Sequence, residues 1–277
     1  MKPIPHQPHT AFTLIELLVV MATVGLLGTL VAATVQPGTD NELEKRNRLH
    51  CVNNQRQIGT AYRVFGSDNG DLYPLEATDN SYIHQPGGVG KTPGAVVSTA
   101  AQPWQVFQAM WNEILTPKVL LCPSDRARVT YSRTSNFNAL AGAPGASTTN
   151  SLGHADNRNQ AVSYTVLADA NETRPSQVLT TDRNLNSATT NTAATTLPLP
   201  SGTRYTVASD ATANSMFWVG SSNGGFHGLE GNLTLADGSV QPVTAAKLQR
   251  FLVESGSVYR WGTPDRPAHG DSIFLLP

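Results

Sequence analysis

Between Leu17 and Val35 the chain runs without a charged side chain. Wound as a helix rising about 1.5 Å per residue, that run approaches the ~20 residues that cross the hydrocarbon core of a bilayer. The rest of the fold must therefore follow an apolar N-terminal helix. Three readings compete: a removable secretory signal, an ordinary anchor, and an anchor that keeps its helix but loses a leader. A secretory signal has an apolar stretch of roughly 7 to 15 residues before a small-residue cleavage site. Val31-Ala32-Ala33 would serve as the site, but the stretch before it is too long.

Glu16 separates the other two. An ionised acid at mid-membrane costs about 2.5 to 3.5 kcal/mol on insertion scales and less near the interface, so a plain anchor has little reason to hold one. The run Ala11-Phe12-Thr13-Leu14-Ile15-Glu16-Leu17-Leu18-Val19-Val20 resembles the type IV prepilin signal. The resemblance implies that a prepilin peptidase cuts between Ala11 and Phe12 and that Phe12 becomes N-methylated. It also implies that the Glu16 carboxylate meets the amino terminus of a neighbouring subunit, each group offsetting the other's desolvation. The family usually has Gly before the cut, where this chain has Ala11, and its leader carries Lys2 besides His6 and His9. Gly28 and Ala32, four apart, would let helices approach closely in lipid; incidental small residues in an ordinary anchor are the equal alternative.

Pro37-Gly38 interrupts the helix, and Thr39 with Glu42 has the form of a capping box that restarts it. Leu43, Leu49, Val52, Ile58, Tyr62 and Phe65 then recur at helical spacing to about Gly66. The organisation read from this is a leader over 1–11, a transmembrane and assembly helix over 12–36, its extramembrane continuation over 37–66, and a globular αβ head over 67–277. The fold class is α+β: a long N-terminal helix, its first half membrane-spanning, leading into a pilin-like head with an antiparallel sheet.

Within the head, Trp104 to Leu115 predicts a short helix, and Val129–Ser132, Ser163–Ala168, Gln177–Thr181, Met216–Val219 and Asn232–Ala236 predict strands. Segments 139–160 and 184–202 read as long insertions. Asp237-Gly238 predicts a two-residue hairpin turn. Thr244 to Glu254 predicts a closing helix before a Pro-containing tail.

The 19 basic and 20 acidic residues leave a formal charge of -1 with no long single-sign run, which excludes the electrostatic footprint of a nucleic-acid binder. Only Cys51 and Cys122 are present, in a body rich in Ser, Thr, Asn, Gly and Pro, which suits an oxidising compartment. A bridge is favoured over two buried thiols. Closing about 70 residues, it would contribute about 4 kcal/mol.

His227, nine intervening residues and Asp237-Gly238 resemble the C-terminal signature of a bacterial group of prepilin-like proteins abundant in planctomycetes and verrucomicrobia. Two further landmarks of that group are similar here: Cys51-Val52-Asn53-Asn54-Gln55-Arg56-Gln57-Ile58-Gly59 and Cys122-Pro123-Ser124-Asp125. The resemblance implies a structural, non-enzymatic subunit of a type II secretion pseudopilus or type IV pilus-like fibre. It would sit single-pass in the bacterial inner membrane, N-terminus cytoplasmic and head in the periplasm or cell exterior. Its partners would be prepilin peptidase, other pilin-like subunits and the membrane. The alternative is a membrane-tethered extracytoplasmic binding module, favoured if Trp104, Trp111, Trp218 or Trp261 cluster on the surface.

No cofactor is expected. His227 could ligate a metal with Asp237 or Glu230, against the plainer reading of a structural hydrogen bond. Asp68, Asn69 and Asp71 carry oxygens of the kind calcium prefers, against the plainer reading of a turn. Gly220-Ser221-Ser222-Asn223-Gly224 formally fits a nucleophile elbow, but the order Ser222, His227, Asp237 and the following Gly225 do not suit one. Gly90-Lys91-Thr92 lacks the first Gly of a phosphate loop and runs into Pro93.

Overall fold

A computed structural model describes residues 13–34, 40–75, 102–137, 149–167, 170, 172–187, 204–208, 216–220, 226–258 and 271–276. The chain divides into two units, Met1–Leu43 and Glu44–Pro277. The first contains α1 (Leu14–Thr34), a 21-residue helix. Its described apolar side chains, Leu14 through Leu27, are exposed on every side. Among the described residues no helix is long and apolar enough to cross a membrane; the side chains of Gly28 and of residues 30–34 lie outside them. Pro37, Gly38 and Thr39, where the helix break and its capping box are expected, also lie outside the described residues.

The second unit is α+β. Helix α2 (Asp40–Asp68) enters it at Glu44. Cys51, Gln55, Ile58, Tyr62 and Phe65, three or four residues apart, form its buried stripe. Leu43 and Leu49, expected on that stripe, are exposed. The phase is set instead by Cys51 and Gln55, whose partners are a cysteine and an aspartate. Next come α3 (Pro103–Ala109) and α4 (Trp111–Ile114), which split the expected single helix at Met110.

A six-stranded antiparallel sheet takes the order β4-β8-β1-β2-β6-β7, comprising β1 (Tyr164–Leu167), β2 (Val178–Asp182), β4 (Arg204–Ala208), β6 (Glu230–Leu235), β7 (Val240–Thr244) and β8 (Asp271–Leu275). A separate ribbon pairs β3 (Leu185–Ser187) with β5 (Met216–Trp218). The sheet is covered on both faces. Tyr164, Val166 and Leu179 join a core with Ile58 and Phe65 of α2 and Phe107 of α3. Leu167, Val178, Leu233 and Leu235 join a second core with Trp218 and with Leu248 and Leu252 of α5 (Ala245–Val258). Alternation along β6 makes this possible: Leu233 and Leu235 point to the α5 side, while Asn232 and Thr234 meet residues of α2 and β2.

Several local expectations are corrected. Val129–Arg133 is a 3-10 turn without a buried residue, not a strand. Arg128, just before it, is buried and donates to the carbonyls of Asn159 and Val162, which fixes the chain as a turn. The expected insertion 139–160 ends in ordered turns: Asn157 donates to Thr149 O and Ser151 O at 2.8 and 2.6 Å. The insertion from 184 opens with β3. The tail contains β8. The β6–β7 turn is one residue longer than a two-residue hairpin: Gly238 N donates to Leu235 O and Leu235 N to Ser239 O, both at 2.9 Å. The loop Ala236-Asp237-Gly238 thus ends on a left-handed Gly238 (φ 82°), the G1-bulge form.

Candidate functional site

At the start of α1, Thr13 and Glu16 form a reciprocal cap. Glu16 Oε2 accepts from Thr13 N and Thr13 Oγ1 at 2.9 Å each, and Thr13 Oγ1 accepts from Glu16 N at 3.4 Å. This is the capping-box arrangement, in which a side chain three residues into the helix satisfies a backbone donor at its mouth. Ala11 and Phe12 lie outside the described residues.

In the head, Cys51 of α2 and Cys122 are joined by a disulfide with Cα atoms 4.9 Å apart. The loop carrying Cys122 is pinned twice. Asn54, one helical turn from Cys51, donates to Leu121 O at 2.9 Å. Asp125 is buried and takes a bidentate contact from Arg183, at 2.6 and 2.7 Å, and a third bond from Ser163 Oγ at 2.9 Å. Two of the sequence landmarks therefore meet at one crosslink.

The third landmark arrives at the same place. The His227 side chain is fully buried on a left-handed backbone (φ 64°), a conformation uncommon for a residue other than Gly. Its Nδ1 lies 3.3 Å from Glu44 Oε1 and its Nε2 lies 3.2 Å from Cys122 Sγ. Asp182 Oδ2 lies 3.9 Å from Nε2. Asp182, at the end of β2, is fully buried. It accepts from Asn232 N at 2.7 Å, Asn232 Nδ2 at 3.0 Å and Gln55 Nε2 at 2.8 Å, while Gln55 Oε1 accepts from Thr234 Oγ1 at 3.1 Å. Burial pushes the Asp182 carboxyl up to about 7, against the Asn232 hydrogen bonds, which favour the anion. Burial pushes the His227 imidazole down to about 4, against the attraction of Glu44.

The expected partners of His227 are elsewhere. Glu230 pairs with Arg48 at 2.6 Å, and Asp237 Oδ1 accepts from Ser239 N at 2.8 Å inside the turn. An acid in a tight turn is consumed by the turn's own amide, and one on an outward strand position reaches the nearest cation. The calcium reading of Asp68 and Asp71 is not supported by a three-residue cluster among the described residues, where only Cys51, Cys122 and His227 gather. Asn69 donates to Phe65 O at 2.8 Å, and the amides of Asn69 and Asp71 donate to Gly66 O, closing the end of α2. Ser222, Lys91 and Trp261 lie outside the described residues. Trp104 and Trp218 are core residues, and Trp111 is half-exposed, so no described tryptophan cluster faces outward.

Sequence reading missed Glu44, Gln55 as a polar core residue, and Asp182. The one available signal was an acid at the end of the run Val178-Leu179-Thr180-Thr181, where a buried strand should be apolar or neutral. Comparison with protein-family models, with curated proteins and with solved structures finds no match to the chain.

Proposed function

We propose that the chain is a pilin-like structural subunit, non-enzymatic, of a type II secretion pseudopilus or type IV pilus-like fibre. In this reading prepilin peptidase cuts between Ala11 and Phe12, Phe12 is methylated, and α1 packs beside copies of itself in the bacterial inner membrane. The observation that carries the reading is Glu16 at the mouth of an otherwise uncharged helix, within the run Phe12–Val20. A helix that is apolar on all sides needs an apolar surrounding, and the described side chains of α1 have none within their own unit. The architecture beyond it, one long helix running into an antiparallel sheet, is compatible with a pilin-like head.

The test is to express the full chain with and without a prepilin peptidase, read the mature N-terminus and intact mass, and crosslink the membranes. N-methylated Phe12 is expected, with multimers present in wild type and in Thr13→Ala but absent in Glu16→Ala. Thr13→Ala removes the cap and keeps the carboxylate, so equal loss in both variants would reduce Glu16 to a helix cap. An uncut chain, or one cut after Ala33, would sink the proposal.

A further inference from the structure

The contact between His227 and Cys122 has an odd feature. Nδ1 faces the Glu44 carboxylate, so it carries the ring proton, and Nε2 is left with a lone pair. That lone pair is directed at a disulfide sulfur, which has no hydrogen to donate. A buried acceptor aimed at a non-donor is a costly arrangement. Beside it, Asp182 is a fully buried carboxylate whose hydrogen-bond donors are all neutral amides. Among the described residues the one basic group at ion-pair distance is His227 itself, at 3.9 Å.

Both oddities vanish if a cation occupies the space between them. Cys51 Sγ, Cys122 Sγ and His227 Nε2 lie within 4.8 Å of one another, and all three residues are buried. Two sulfurs and an imidazole nitrogen supply three of the four donors that tetrahedral zinc takes, with metal–ligand bonds of about 2.0–2.3 Å and hence ligand atoms roughly 3.3–3.8 Å apart. The Nε2 separation of 3.2 Å to Cys122 Sγ is already near that spacing, and Asp182 Oδ2, 3.9 Å from Nε2, lies beside the cluster as a negative charge. The two sulfurs must part from bonding distance to reach it. Glu44 on Nδ1 is the carboxylate that commonly orients a metal-bound histidine from its far nitrogen.

We propose that, in its dithiol form, the head binds one zinc-class divalent ion through Cys51 Sγ, Cys122 Sγ and His227 Nε2, with the buried Asp182 carboxylate, 3.9 Å from Nε2, as the adjacent counter-charge and Glu44 positioning the imidazole. Two cysteine thiols and the ion give a bis-thiolate complex and two released protons. The disulfide arises from the same dithiol by loss of two electrons and two protons to an acceptor disulfide of the thiol-exchange class. The cysteine pair therefore has two mutually exclusive end states, metal-bound or crosslinked.

The experiment uses the full chain in detergent, purified under a phosphine reductant and titrated with cobalt(II). One cobalt per chain is expected, with a sulfur-to-cobalt charge-transfer band, tetrahedral visible absorption, and displacement by one zinc. The oxidised chain should show none of these. His227→Asn, which tolerates the left-handed backbone, and Asp182→Asn should each weaken zinc at least 10-fold. Glu44→Gln, at a half-exposed position whose loss leaves the core intact, should weaken it about 10- to 100-fold. A reduced wild-type chain without the sulfur–cobalt band overturns the proposal, as does zinc affinity unchanged in all three variants.

Discussion

Gly59 of α2 and Gly238 of the β6–β7 turn are in contact. A β-carbon on Gly59 would lie 3.1 Å from Gly238 Cα, 3.3 Å from its carbonyl oxygen and 2.9 Å from Thr234 Cγ2. Arg63, one turn further along α2, reaches Asp237 O at 3.4 Å. The Gln-Ile-Gly stretch of the helix and the Asp-Gly turn are thus two sides of one close approach: Gly59 is needed by the hairpin backbone, and Gly238 by its own φ of 82°.

Gly59→Ala measures that approach. Alanine gains about 1 kcal/mol of helix propensity over glycine, while overpacking against an unyielding backbone typically costs about 1–3 kcal/mol. A net destabilisation of up to about 2 kcal/mol is expected in urea unfolding of the full chain in detergent. A gain in stability would show that the hairpin moves aside freely.

Replacing both bridge cysteines by alanine should lower stability by about 4 kcal/mol on the loop-closure argument for a separation of 71 residues. Thermal unfolding with and without reductant checks it. Reductant should lower the wild-type midpoint and leave the double variant unmoved.

Asp125→Asn leaves Arg183 without its bidentate partner and removes the carboxylate 4.0 Å from Arg128 Nε. Breaking a buried pair on one side costs about 3–5 kcal/mol, because the remaining charge is uncompensated. Urea midpoints of wild type and variant decide this. A loss below about 1 kcal/mol would mean that water reaches Arg183.

In the disulfide-linked head, Asp182 and His227 should pull the pH dependence of stability in opposite directions. From the ordinary carboxyl value of 3.8 up to about 7, native Asp182 holds a proton that the unfolded chain has lost, so rising pH destabilises. From about 4 to the ordinary 6.5, native His227 lacks a proton that the unfolded chain carries, so rising pH stabilises. The contributions nearly cancel in wild type over that window. Asp182→Asn should make stability climb from pH about 4 to 6.5, and His227→Asn should make it fall from pH about 4 to 7. Parallel profiles in the two variants would refute the assignment.

What could be read in advance followed periodicity and covalent chemistry. Strands β1, β2, β5 and β6 announce themselves by β-branched and aromatic runs, and α5 by apolar residues at helical spacing. Strands β4 and β8 did not, because each pairs with a partner more than sixty residues away, as Tyr205 does with Phe274. Nothing local specifies such a pairing. The cysteines and His227 stood out by residue type. Asp182, Gln55 and Glu44 did not, since a polar residue becomes part of a buried network only through what the tertiary fold sets against it. The stripe of α2 holds at Ile58, Tyr62 and Phe65 and fails at Leu43 and Leu49 for the same reason: Gln55 occupies a core position that hydrophobicity alone assigns elsewhere.

The place of β8 in the sheet bears on the order in which the head is completed. It lies between β4 and β1, though it follows both in the chain. As synthesis proceeds from the N-terminus, β4 emerges with no neighbour, and β1 waits with one edge bare. Until residues 271–275 arrive, the nascent head presents unpaired strand edges that can pair with another chain. A polypeptide ending before residue 271 would keep those edges bare, with the sheet open between β4 and β1.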